Sequence, residues 1–185
     1  MSRRNIGVAI GLPEPVAREL QDWRERLGDP SATRIMPHVT LLPPTAVGSE
    51  QLPHVEEHLR RVAEDGHPFD IRLRGAATFR PVSPVVFVPL VEGISECELL
   101  AGQVRSGPLA RGLQFPYHPH VTVAQDVADA ALDRGYLELA GYDARFRVWG
   151  LQMFEQDADY VWRPQRNFPF RHATTGPHPP SAALW

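Results

Sequence analysis

Two short stretches repeat one polar pair inside apolar runs: Pro37-His38-Val39-Thr40-Leu41 and Pro119-His120-Val121-Thr122-Val123. On an extended strand successive side chains point to opposite faces, so His38 shares a face with Thr40, and His120 with Thr122. The aliphatic residues between them face the other way, toward packing helices. Side by side about a pseudo-two-fold axis, two such strands would line a cleft with two imidazoles and two hydroxyls. That set suits a phosphodiester. One neutral histidine takes a proton from water or a hydroxyl, and the other, protonated, gives one to the leaving oxygen; an ordinary imidazole pKa of about 6.5 lets both forms coexist near neutrality. Each threonine hydroxyl donates to a non-bridging oxygen, where charge builds in the transition state. The scheme needs no metal and no other cofactor. One His-Val-Thr alone means little, because Val and Thr favour strands and a lone histidine is usually packed or solvated. The weight comes from two copies, each behind a proline, in equivalent places.

Other residues gather around the motifs. Tyr117 and Phe79 are candidates to stack on a base, with core packing as the competing role. Arg80 is a candidate phosphate contact, against a solvated surface role. His118 shares strand parity with His120 and is a candidate for the cleft mouth, against a plain edge position. His38, His118 and His120 together also open a zinc-site alternative, in which the threonines have no role. His54 and His58 share one helix face without an acidic third ligand and read as solvated. The charges of 14–27, Arg24 among them, read as an outer helix surface. Trp149, Phe154, Trp162 and Phe168 read as building or edging the core. Cys97 is the single cysteine, so neither an intramolecular disulfide nor a cysteine-based zinc motif is available, and it reads as a packing residue on a helix face.

The elements that must position the motifs follow from periodicity. Residues 5–12 read as a strand and 13–27 as a helix, with Val16, Leu20, Trp23 and Leu27 at helical spacing. A strand over 35–42 is expected to stop at Pro43-Pro44, and Ser49 to cap a helix running to about Glu64. FDIRLRG (69–75) alternates as a half-buried strand does. The second series has a strand at 85–90, a helix from about Ile94 to Arg105, a loop, a strand at 117–124, a helix from about Val127 to Leu139, one strand over 145–155 and a last strand at 160–164. Both halves thus run strand, helix, strand, helix, strand, with the motif on the middle strand. Residues 1–172 read as one bilobal domain and 173–185 as a Pro-rich loose tail.

The chain has 185 residues, 43% of them hydrophobic, enough to bury an interior. No apolar run reaches the ~18 residues of a membrane span, and a soluble, cytoplasmic, monomeric protein is expected. A net charge of −3 gives no global field for long nucleic acid. All 19 basic residues are arginine, so the choice of arginine over lysine at any one place carries no message.

The paired motifs HVTL (38–41) and HVTV (120–123) resemble the 2H phosphoesterase superfamily and, more narrowly, the 2'-5' RNA ligase family, which includes RNA 2',3'-cyclic phosphodiesterases. GAATFRPVSPVVFVPL (75–90) is similar to that family's linker and strand. The resemblance spans roughly residues 5–170. It implies an α+β fold of two lobes, each an antiparallel sheet with outer helices, around a central cleft. It implies His38 and His120 as the acid/base pair and Thr40 and Thr122 as the phosphate holders. The implied partner is a nucleotide or an RNA end with a cyclic or 2'-5' phosphodiester, with no membrane and no DNA. A non-catalytic module that only binds such an end fits the same residues.

Overall fold

The computed structural model describes residues 2–171. The tail expected at 173–185 lies outside the described residues. In chain order the elements are β1 (Arg3–Gly11), α1 (Val16–Leu27), β2 (His38–Gly48), α2 (Leu52–Asp65), β3 (Phe69–Arg74), β4 (Ala77–Thr78), β5 (Val85–Glu92), α3 (Ile94–Val104), β6 (His120–Gln125), α4 (Asp129–Glu138), β7 (Asp143–Val148), β8 (Gly150–Gln156) and β9 (Trp162–Pro169). They form two antiparallel sheets with four helices. The first sheet has the order β2-β1-β8-β9. In the second, β5 is bonded to β6, β4 and β3, and β3 to β7. No helix among the described residues is long and apolar enough to cross a membrane.

The strand–helix–strand order of each half is as expected, but the sheets are not the two halves of the sequence. β3, from the first half, pairs with β5 and β7 of the second sheet. β8, which follows β7, returns to pair with β1. The expected single strand over 145–155 is therefore two strands in different sheets, parted at Trp149. Gly150 makes the switch sterically possible: a Cβ there would lie 2.4 Å from the carbonyl oxygen of Phe168. The helices cross over as well, α1 packing beside β6 and α3 beside β2. One apolar cluster runs through both sheets, joining Ile10, Leu20, Leu41 and Leu59 to Ile71, Val88, Val121 and Leu132.

Two local expectations are corrected. β2 starts at His38 and runs through Pro43-Pro44 to Gly48 instead of stopping at the prolines. Among the described residues it pairs only with β1 and so forms an edge strand, and the register slips across the proline pair. A missing N–H costs no ladder bond at an edge or a bulge. Ser49 does not cap α2. It opens a short 3-10 turn, and its hydroxyl donates to the Ser2 carbonyl at 2.9 Å.

β6, paired among the described residues only with β5, is a matching edge of the second sheet. The two motif strands carry the same irregularity. Thr40 pairs with Ala9 and Leu42 with Val8, leaving Leu41 as an extra residue. Thr122 pairs with Phe87 and Ala124 with Val86, leaving Val123 extra. A bulge of this kind bends the strand and re-aims its side chains. Here it buries two consecutive residues after each threonine, Leu41-Leu42 and Val123-Ala124.

Candidate active site

The alternation predicted for the motifs holds. Val39, Leu41, Val121 and Val123 are fully buried, whereas His38, Thr40, His120 and Thr122 are half-buried and line one cleft of about 380 Å³. Each histidine is held by the backbone just before its strand. Nδ1 of His38 donates to the Met36 carbonyl at 2.8 Å, and Nδ1 of His120 to the His118 carbonyl at 2.7 Å. A carbonyl only accepts, so Nδ1 carries the proton in both rings and Nε2 keeps its lone pair. At His38 this Nε2 meets the Thr40 hydroxyl at 3.1 Å.

Both imidazoles resist protonation. Burial pushes the pKa of His38 down to about 4, helped by the Arg24 guanidinium and by His120, while the bond to Met36 works the other way. Burial also lowers that of His120; the bond to the His118 carbonyl opposes the shift and the His118 ring adds to it. The neutral forms are favoured in the free protein, ready to accept a proton at Nε2.

The surroundings of the two histidines differ. His120 rests among aromatic rings, 5.0 Å from Phe79 and 4.9 Å from Phe87, which stack on each other at 4.2 Å. His118 is exposed, joins the same group at 5.8 and 5.5 Å from the two phenylalanines, and lies 6.2 Å from His120. Phe79 and His118 thus surround His120. Tyr117 is a strut: its hydroxyl donates to the Thr40 carbonyl at 2.8 Å and its ring carries the Arg105 guanidinium at 4.8 Å. Arg80 is turned to α4, with Asp133 at 2.7 Å and Asp129 at 3.9 Å, and it does not line the cleft.

Several lining residues are not among those expected. Arg24 is 3% exposed rather than part of an outer helix surface. Its Nε donates to Asp29 at 3.0 Å and its Nη1 to the Ile35 carbonyl. The signal was in the spacing, since Arg24 falls between Leu20 and Leu27 on the buried face of α1. Phe154 and Trp162 are half-buried and line the cleft with Tyr160 instead of closing the core. Gly7 leaves room for the indole: a Cβ there would lie 3.4 Å from it. His58, expected on a solvated face, is half-buried and bonded to the Val104 carbonyl at 3.2 Å. Among the described residues no three His, Cys, Asp or Glu side chains are grouped to hold a metal ion, so His38, His118 and His120 do not assemble the zinc alternative.

Comparison with known proteins bears on this site. The family model of the 2'-5' RNA ligase superfamily matches residues 12–160. A curated relative from Halalkalibacterium halodurans, named "Putative phosphoesterase BH1439", is 32% identical over 124 residues, 67% of this chain and 71% of its own. A relative of the same description from Oceanobacillus iheyensis, OB1230, is 27% identical over 88% of this chain and 95% of its own. The crystal structure of E. coli LigT complexed with 3'-AMP shares the fold at a TM-score of 0.71 and 19% identity, covering 91% of this chain and 99% of that one. The crystal structure of TT0787 from Thermus thermophilus matches at a TM-score of 0.65 and 23% identity, over 90% and 98%. With the family model matching residues 12–160 and so spanning both His-x-Thr strands, the chain belongs to the 2'-5' RNA ligase superfamily.

Proposed function

We propose that this protein is a metal-independent phosphodiesterase that opens 2',3'-cyclic phosphates, or cleaves 2'-5' linkages, in nucleotides or at RNA ends. The observation that carries the reading is the matched pair of histidines, each pinned through Nδ1 to a carbonyl two residues back, with a threonine on the same strand face. In the reaction, water attacks phosphorus as one neutral Nε2 removes its proton. The P–O2' or P–O3' bond breaks, and the other histidine, protonated, delivers a proton to the leaving oxygen. The Thr40 and Thr122 hydroxyls hold the two non-bridging oxygens as their charge rises. The name shared by the curated relatives, and the nucleotide in the LigT crystal structure, support a phosphoester ligand.

The test is incubation in EDTA with the four nucleoside 2',3'-cyclic monophosphates and with a short RNA ending in a cyclic phosphate. Products are separated against 2'- and 3'-phosphate standards, with His38→Ala and His120→Ala in parallel. Ring opening by the wild type, reduced by about 10²–10⁴ in each variant, is expected. A bound nucleotide with no product would leave a binding module in its place, and full activity in His38→Ala would remove the two-histidine mechanism.

A further inference from the structure

The chain carries 22 acidic residues against 19 basic ones, yet no aspartate or glutamate lines the cleft among the described residues. Two arginines do, Arg24 and Arg34. Both stand toward the loop that joins α1 to β2, which also contributes Ser31. The reacting phosphodiester does not need them. Its two non-bridging oxygens are matched by the two threonine hydroxyls, and its attacking and leaving oxygens by the two imidazoles.

The donors left over are well defined. Arg24 is fixed through Nε to Asp29 and through Nη1 to the Ile35 carbonyl, while its Nη2 has no hydrogen-bond partner among the described residues. Asp29 is itself buried and offsets much of the Arg24 charge, so Arg24 supplies a direction more than a field. Ser31 Oγ accepts from Gln125 Nε2 at 3.1 Å, which leaves its own proton to donate. Arg34 is exposed and its guanidinium has no partner among the described residues. Its backbone is tied to the aromatic wall, the Trp162 N–H donating to the Arg34 carbonyl at 2.8 Å. A planar surface for a base therefore stands beside an uncommitted cation.

We infer that Arg34, Arg24 and Ser31 form a second anion subsite, which takes a phosphate of the nucleotide other than the one that reacts. The cleft then selects nucleotides with two phosphate groups, one at the 2',3' edge and one at the 5' end. The inference rests on the phosphodiesterase reading for which phosphate reacts, but its test does not require turnover.

Affinities for adenosine 3'-monophosphate and adenosine 3',5'-bisphosphate are measured by calorimetry on the wild type, on Arg34→Gln and on Arg166→Gln. Arg166 pairs with Glu56 at 2.6 Å, does not line the cleft, and serves as the charge control. The bisphosphate is expected to bind the wild type and Arg166→Gln at least about tenfold more tightly, as a charge-assisted contact predicts, and Arg34→Gln to narrow the gap to within about threefold. Equal affinities in the wild type, binding of neither ligand, or a preference that survives Arg34→Gln would overturn the subsite. A preference lost in Arg34→Gln, from a protein that opens no cyclic phosphate, would uphold the subsite and reject the hydrolytic reading alone.

Discussion

The hydroxyl of Tyr117, three residues before the second motif histidine, donates to the main-chain carbonyl of Thr40 inside the first motif. Thr40 lies on β2, an edge strand of the first sheet, and Tyr117 leads into β6, an edge strand of the other. One phenol thus fastens the two motif strands to each other. Burial raises its pKa, so it stays protonated and donating throughout the neutral range.

Tyr117→Phe keeps the ring against Arg105 and removes only this bond. The expected cost is about 1 kcal/mol of stability, or a melting shift of about 2–4 °C. The effect on kcat/KM is expected to be larger in proportion, about tenfold, because the spacing of the two imidazoles loses its tie. Unchanged kcat/KM at a lowered melting temperature would reduce Tyr117 to a structural residue.

The depressed histidine pKa values set a pH signature. In the proposed mechanism the productive form has one imidazole neutral and the other protonated, and its population peaks between the two pKa values. Both lie below the ordinary 6.5, that of His38 at about 4, so the kcat/KM optimum is expected on the acid side of 6.5, with the rate falling as the second histidine loses its proton. A bound phosphate anion favours both imidazolium forms, so the optimum in kcat should sit at higher pH. Stability has its own sign. Below 6.5 the unfolded chain protonates while folded His38 does not until about 4, so the unfolding free energy falls as pH drops through that window. Urea midpoints across that window should show the decline, flattened in His38→Ala. A kcat/KM optimum at pH 8 or above would contradict the acid/base assignment.

Much of this site was legible because the motif strands obey a period of two and the α1 face a period near 3.6. His38, Thr40, His120 and Thr122 could be placed on shared faces without coordinates. The exchange of β3 and β8 between sheets could not, because pairing partners are far apart in sequence and both strands look alike locally. Arg24 was hidden in another way. Its spacing from Leu20 and Leu27 put it on the buried face, but a charge on a helix is ordinarily solvated, and the buried Asp29 with the Ile35 carbonyl makes its burial tolerable. Trp162 and Phe154 have apolar types suited to a core. That their faces open into a cleft depends on Gly7 and on where the β8–β9 hairpin stands, neither of which is a local property.

The Arg24–Asp29 pair is buried at both ends, so removing one charge strands the other. Asp29→Asn is expected to cost about 3–5 kcal/mol, read from urea unfolding. It should also have an electrostatic consequence. Arg24 already disfavours the His38 imidazolium, and without its counterion that repulsion grows, so the acid limb of kcat/KM should move to still lower pH. A loss of stability without this movement would confine the pair to folding.

In the proposed mechanism the threonines separate ground-state binding from catalysis. A phosphodiester enters with one negative charge, and attack on phosphorus places more charge on the non-bridging oxygens. A hydroxyl donor aimed at them is worth more in the transition state than in the bound substrate, so its loss should lower kcat more than it raises KM. Thr40→Val and Thr122→Val keep the shape and β-branching that suit an edge strand, and each is expected to lower kcat by about 10²–10³. Thr40→Ser and Thr122→Ser retain the hydroxyl and should recover most of the rate. If serine and valine reduced kcat alike, the methyl group's packing, and not the hydroxyl's hydrogen bond, would be what the motif preserves.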